Sequence, residues 1–117
     1  MKVEFHADPL EQRLDPMIET VCFRVAQEAL TNVVRHAQAS CVNVVLAGRN
    51  GTLSLSVTDN GRGFDPAELP ELAGLGLLGM RERASLAGGE LAISPGVGRG
   101  AQVYFTVPLE KPEKEVA

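Results

Sequence analysis

The feature that most restricts how this chain can fold is a run of 21 residues, Met17 to Ala37, without a glycine or a proline. Its apolar residues are Ile18, Val21, Cys22, Val25, Ala26, Ala29, Leu30, Val33 and Ala37. They recur at steps of three and four, which gathers them on one face of an α-helix. Asp15 can accept the free backbone N–H groups of a helix start, and Pro16 suits the first helical position. Glu19 puts negative charge in the first turn, where the helix dipole favours it. The sequence predicts one long amphipathic helix reaching Ala37.

Around that helix the period changes from helical to alternating. Val3 and Phe5 alternate with Glu4 and His6, which predicts a short edge strand over Lys2–Ala7. Asp8 to Leu14, with Pro9, reads as a linker. After the helix, Cys41–Ala47 and Thr52–Asp59 alternate on either side of Gly48-Arg49-Asn50-Gly51, where Asn-Gly is a strong hairpin signal. One face of this hairpin is apolar and the other small and polar, so one face packs on helices. A second helix is expected to run to about Ala87, where Gly88-Gly89 stops it. Leu91 and Ile93, then Val103, Phe105 and Val107, form a second hairpin about the turn Pro95–Gly100. The predicted class is α+β, a two-layer α/β sandwich. Its mixed, mainly antiparallel sheet has about five strands with helices on one face. Residues 1–109 make one domain, and 110–117 are read as a charged, disordered tail.

Composition narrows the functions. A chain of 117 residues can bury a core without staples. Its net charge of −4 lacks the basic excess of a nucleic-acid-binding domain. No apolar run approaches the roughly 18 residues of a membrane span, and Met1–Phe5 is no signal peptide. Cys22 and Cys41 have no zinc-binding spacing and read as reduced thiols, which favours the cytoplasm.

Three stretches carry candidate chemistry. Glu28, Asn32 and His36 stand at i, i+4 and i+8 and form one row along the border of the apolar stripe, flanked by Arg35. The row is either a hydrogen-bonding helix margin or a carboxylate, an amide and a nitrogen base facing a cleft. A carboxylate and an amide one turn apart could hold a hydrated Mg²⁺ and a water. The second stretch is Asp59-Asn60-Gly61-Arg62-Gly63-Phe64. It is either a plain turn or a carboxylate at a strand end with a backbone that can approach a ligand closely. In the third, Gly74, Gly76 and Gly79 have GxGxxG spacing but follow a hairpin and a long loop, which is the wrong context for a dinucleotide fingerprint. Glycines there still let a backbone approach phosphate ahead of a helix N-terminus. Arg81 could meet phosphate, whereas Arg83 reads better as solvated or paired with Glu82 and Glu90.

Taken in order, Gln27-Glu28-Ala29-Leu30-Thr31-Asn32-Val33-Val34-Arg35-His36-Ala37, the Asp59–Phe64 stretch and Gly74–Ala84 resemble the N box and two glycine boxes of the histidine-kinase ATPase domain. This is the Bergerat, or GHKL, fold shared with gyrase, and the wording is most similar to nitrate-sensor-type kinases. The resemblance covers residues 3–109. It implies that Asn32 coordinates Mg²⁺ on the ATP phosphates, with Glu28 beside the metal orienting water or assisting as a base. His36 and Arg35 lie toward the phosphates, with His36 counted among the catalytic residues. Asp59 accepts from the adenine amino group, and Gly61 and Gly63 let the backbone wrap the base. Asp65–Ala73 is a short lid, and Gly74, Gly76 and Gly79 close over the phosphates. Phe64, Leu75, Leu77 and Met80 complete the ATP-binding set. Ala101 stands in the same set after Gly100, where the family commonly has a threonine, so one hydroxyl near adenine is missing.

The resemblance implies a sensor histidine kinase catalytic domain that binds Mg-ATP. It would donate the γ-phosphate to a histidine on a dimerisation domain outside this chain. A response regulator of the nitrate-response type would then accept it. Neither His6 nor His36 reads as the phosphoacceptor. The domain alone is expected to be a monomer with very low turnover and no contact with membrane or nucleic acid. An anti-sigma-factor-like serine kinase and a non-catalytic nucleotide-binding module are the alternatives.

Overall fold

A computed structural model describes residues 1–10, 14–62, 77–96 and 100–109. Strand β1 spans Lys2–Ala7, helix α1 Pro16–Asn32, β2 Cys41–Arg49 and β3 Thr52–Asp59. Helix α2 spans Leu77–Leu86, β4 Glu90–Gly96 and β5 Gly100–Pro108. The five strands form one sheet in the order β1-β2-β3-β5-β4. Only β1 and β2 pair in parallel; the other three pairings are antiparallel. The α+β sandwich with a mixed, mainly antiparallel sheet is the expected one.

The parallel pair follows from α1, because parallel neighbours need a long crossover and a helix supplies it. Asp15 caps that helix as predicted, its Oδ1 accepting the N–H of Met17 at 2.8 Å. The helix end departs from expectation. After Asn32 the chain forms a π-helical turn, Val33–Ala37, and leaves it through Gln38 in the left-handed region (φ 54°, ψ 40°). A π-turn takes one more residue per hydrogen-bonded ring than an α-turn. No glycine or proline announces that change, and a three-and-four apolar pattern cannot display it. Of the predicted row, Glu28 and Asn32 lie in α1 and His36 falls in the π-turn.

The first hairpin is longer than its alternation suggested, with β2 reaching Arg49. Asn50 and Gly51 both have positive φ (52° and 76°), as a two-residue turn matching strand twist requires.

The core lies between the sheet and one layer of helices. Val21, Val25, Ala29 and Val33 pack with Val42, Val44, Leu53, Leu55, Val57, Met80, Ala84, Phe105 and Val107. Helix α1 bears on β3 and β5, and α2 on β4 and α1. Strand β1 lies outside this cover. Val3 and Phe5 pair in register with the core residues Val42 and Val44, yet stay 54% and 65% exposed.

Candidate functional site

Asp59 ends the middle strand of the sheet and is buried. Its Oδ1 accepts the N–H of Gly61 at 2.7 Å, which folds residues 59–61 into an Asx turn. Among the described residues, the Gly61 N–H is the donor that meets this carboxylate. Gly61 is itself buried, and Arg62 is exposed.

Strand β5 closes the other side of this turn. The β3–β5 pairing runs to Thr58 and Gln102, whose side chains also meet, Gln102 Nε2 donating to Thr58 Oγ1 at 3.2 Å. One step further in the same register, Ala101 comes abreast of Asp59. Gly100 has φ +91°, and a Cβ there would collide with the Asp59 carbonyl. The sequence reading singled out Ala101; the closer contact belongs to Gly100.

Asn60 is the residue that the sequence reading passed over. Its Oδ1 accepts from the backbone N–H groups of Ser40 and Cys41, each at 3.0 Å, and its Nδ2 donates to Ser40 Oγ at 2.9 Å. An Asn directly after a predicted strand was the available signal, but it read as half of an Asn-Gly turn.

On α1, Glu28 and Asn32 are half-buried and one turn apart. Arg35, in the π-turn, is exposed. The side chain of His36 lies outside the described residues, as do Gly63, Phe64, Gly74, Leu75, Gly76 and the side chain of Leu77. Gly79 lies within α2, where a Cβ would meet only Arg83 Nη1 at 3.7 Å, an ordinary contact. The Met80 side chain is fully buried and belongs to the core cluster.

Among the described residues no three His, Cys, Asp or Glu side chains converge as a metal cage. Glu28 and Asn32 can offer one or two hard oxygen atoms. That is what Mg²⁺ takes from a protein when phosphates and water supply the rest, so the residues fit a metal carried in on a nucleotide. Elsewhere on α1, burial pushes the Cys22 thiol up to about 11, with the nearby Glu19 charge adding to it. A thiol held in its protonated form is a poor nucleophile.

A five-stranded mixed sheet, two helices on one face and a buried carboxylate at the end of the central strand together have the architecture of a Bergerat-type ATP-binding domain. The profile of the Histidine kinase-, DNA gyrase B-, and HSP90-like ATPase family matches residues 18–111, and the chain belongs to that family. It is 41% identical over 107 residues to the oxygen sensor histidine kinase NreB of Staphylococcus carnosus (strain TM300), and 38% identical over 112 residues to the sensor histidine kinase LiaS of Bacillus subtilis (strain 168). These matches take in 92% and 96% of the chain but 31% of each relative. Among solved structures, the histidine kinase domain of the Erythrobacter litoralis EL346 blue-light activated histidine kinase aligns with 92% of this chain and 51% of its own, at a TM-score of 0.79 and 27% identity. The longer EL346 structure aligns with 97% of this chain and 36% of its own, at a TM-score of 0.81 and 26% identity.

Proposed function

We propose that this chain is the ATP-binding catalytic domain of a two-component sensor histidine kinase, which binds Mg-ATP and gives up its γ-phosphate to a histidine on a dimerisation domain outside the chain. The observation that carries the reading is the Asp59 carboxylate. It is buried and oriented by Gly61, and a carboxylate has lone pairs enough to accept from an amino group as well. The adenine 6-amino group is a donor of that kind. Family membership and two sensor-kinase relatives support the same reading.

Phosphoryl transfer needs alignment and neutralisation of charge more than covalent help from the protein. Asp59 and Gly61 fix the adenine end. Asn32 would hold the metal through its amide oxygen, and Glu28 would orient a water beside it or take the acceptor's proton. Mg²⁺ would supply neutralisation of the phosphate charge. Arg35 and His36 are assigned to the phosphate end, and Gly63, Phe64, Gly74, Leu75, Gly76, Leu77 and Gly79 to the rest of the ATP site. Ala101 lines the adenine end without the hydroxyl that a threonine would supply. The reading makes the isolated domain a cytoplasmic monomer with a response regulator of the nitrate-response type downstream.

The test is a calorimetric titration of an ATP analogue, with and without Mg²⁺, into wild type and Asp59→Asn. Tight binding that survives unchanged in the variant would refute the adenine assignment.

A further inference from the structure

Asn60 makes more contact with the chain than an exposed turn residue needs. Besides the three side-chain bonds to Ser40 and Cys41, its own N–H donates to the Cys41 carbonyl at 3.2 Å. Together they carry the β2–β3 pairing one residue past its last pair, Val42 with Asp59. Ser40 also accepts the N–H of Lys2, so three chain segments meet there.

The position matters because of what lies on each side. Upstream of Ser40 is the left-handed Gln38 and the π-turn that leaves α1, the helix bearing Glu28 and Asn32. Immediately before and after Asn60 are Asp59 and Gly61. One side chain thus ties the carboxylate-bearing turn to the segment leaving the helix that carries the amide and second carboxylate. In an exposed position water could satisfy all these groups, so the bonds add little net stability and serve mainly to fix geometry.

We propose that Asn60 is a positioning residue for nucleotide selectivity. By pinning the 59–61 turn to Ser40 and Cys41, it holds the Asp59 carboxylate where the 6-amino group of adenine arrives. The inference rests on the nucleotide-binding reading above and adds a residue to it. An asparagine suits the task because it offers an acceptor to two N–H groups and a donor to a hydroxyl. Aspartate can nearly replace it, since the Ser40 hydroxyl can reverse and donate.

The experiment compares Mg-ATP with inosine triphosphate, which has a carbonyl in place of the amino group, on wild type, Asn60→Ala, Asn60→Asp and Ser40→Ala. Affinities are read by calorimetry, and folding is checked by circular dichroism. Wild type should prefer ATP. In Asn60→Ala the ATP-to-inosine preference should shrink about fivefold or more, and Asn60→Asp should restore most of it. A merely structural residue would weaken both nucleotides equally and leave the ratio unchanged, which would overturn the proposal. If Asn60→Ala does not fold, Ser40→Ala decides the matter. It removes only the hydroxyl partner and should lower the ratio by a smaller step, and an unchanged ratio overturns the proposal. A wild type that binds both nucleotides equally overturns the Asp59 reading itself, whereas a selective wild type with an equally selective Asn60→Ala overturns only the role of Asn60.

Discussion

The Asp59 carboxylate and the Gly61 N–H, 2.7 Å apart, are both buried at the end of the central strand. That bond orients the carboxylate. Asp59→Asn can keep the Gly61 bond through its remaining oxygen, but it then points an N–H₂ donor at the amino group of adenine. ATP affinity should fall by about 1–3 kcal/mol, roughly five- to 150-fold in Kd, while the melting temperature moves little. Calorimetry and thermal melts on the same samples check both halves.

Glu28 and Asn32 are expected to separate binding from chemistry. Asn32→Ala should remove the Mg²⁺ dependence of nucleotide binding, measured as the ratio of Kd values with and without the ion. Glu28→Gln should keep that ratio and lose phosphotransfer by about a hundredfold or more when a histidine-bearing dimerisation domain is supplied. A Mg²⁺ dependence that persists in Asn32→Ala would mean that the metal is held by other residues.

Gly100→Ala tests how closely β5 must approach Asp59. The added methyl meets the Asp59 carbonyl, which is backbone and cannot swing aside, and φ +91° is strained for any L side chain. The cost should be about 1–3 kcal/mol in denaturant unfolding, with a further loss of nucleotide affinity. Gly48→Ala is the control. Its new methyl meets Leu10 Cδ2 at 2.9 Å, the mobile end of a side chain, so the cost should be smaller.

Cys22 gives a pH signature. Burial, with Glu19 second, raises its thiol from 9.0 to about 11. In the unfolded chain the thiol ionises first, so its contribution to stability is complete below pH 9 and is lost as pH rises toward 11. Denaturant midpoints measured across that window should fall more steeply for wild type than for Cys22→Ala. The two curves should run parallel below pH 9.

Much of the fold was legible because its signals are local. Asp15-Pro16 announced a helix start that the Met17 N–H bond to Asp15 bears out, and Asn50-Gly51 announced a hairpin turn that has both φ values positive. The π-turn at Val33–Ala37 was not legible, since nothing in the residue types distinguishes a widened turn from an α-helical one. Strand order was also hidden, because β5 pairs with β3 across more than 40 residues of sequence, as Thr58 does with Gln102. In the candidate site, Asp59 could be read from its place at a strand end. Asn60 could not, because its partners, Ser40 and Cys41, are distant in sequence and lie at the start of a neighbouring strand and just before it.

Strand β3 has two strands on either side of it. In such a sheet the outer strands fray first, and the amides of the centre exchange only when the whole domain opens. Asp59 sits at the last position of that protected strand, and the bonds of Asn60 extend the protection one residue further. The Asp59 carboxylate is thereby anchored to the slowest-opening part of the molecule. Fraying of β1 or β4 leaves it where it is, and it gives way only when the domain itself comes apart.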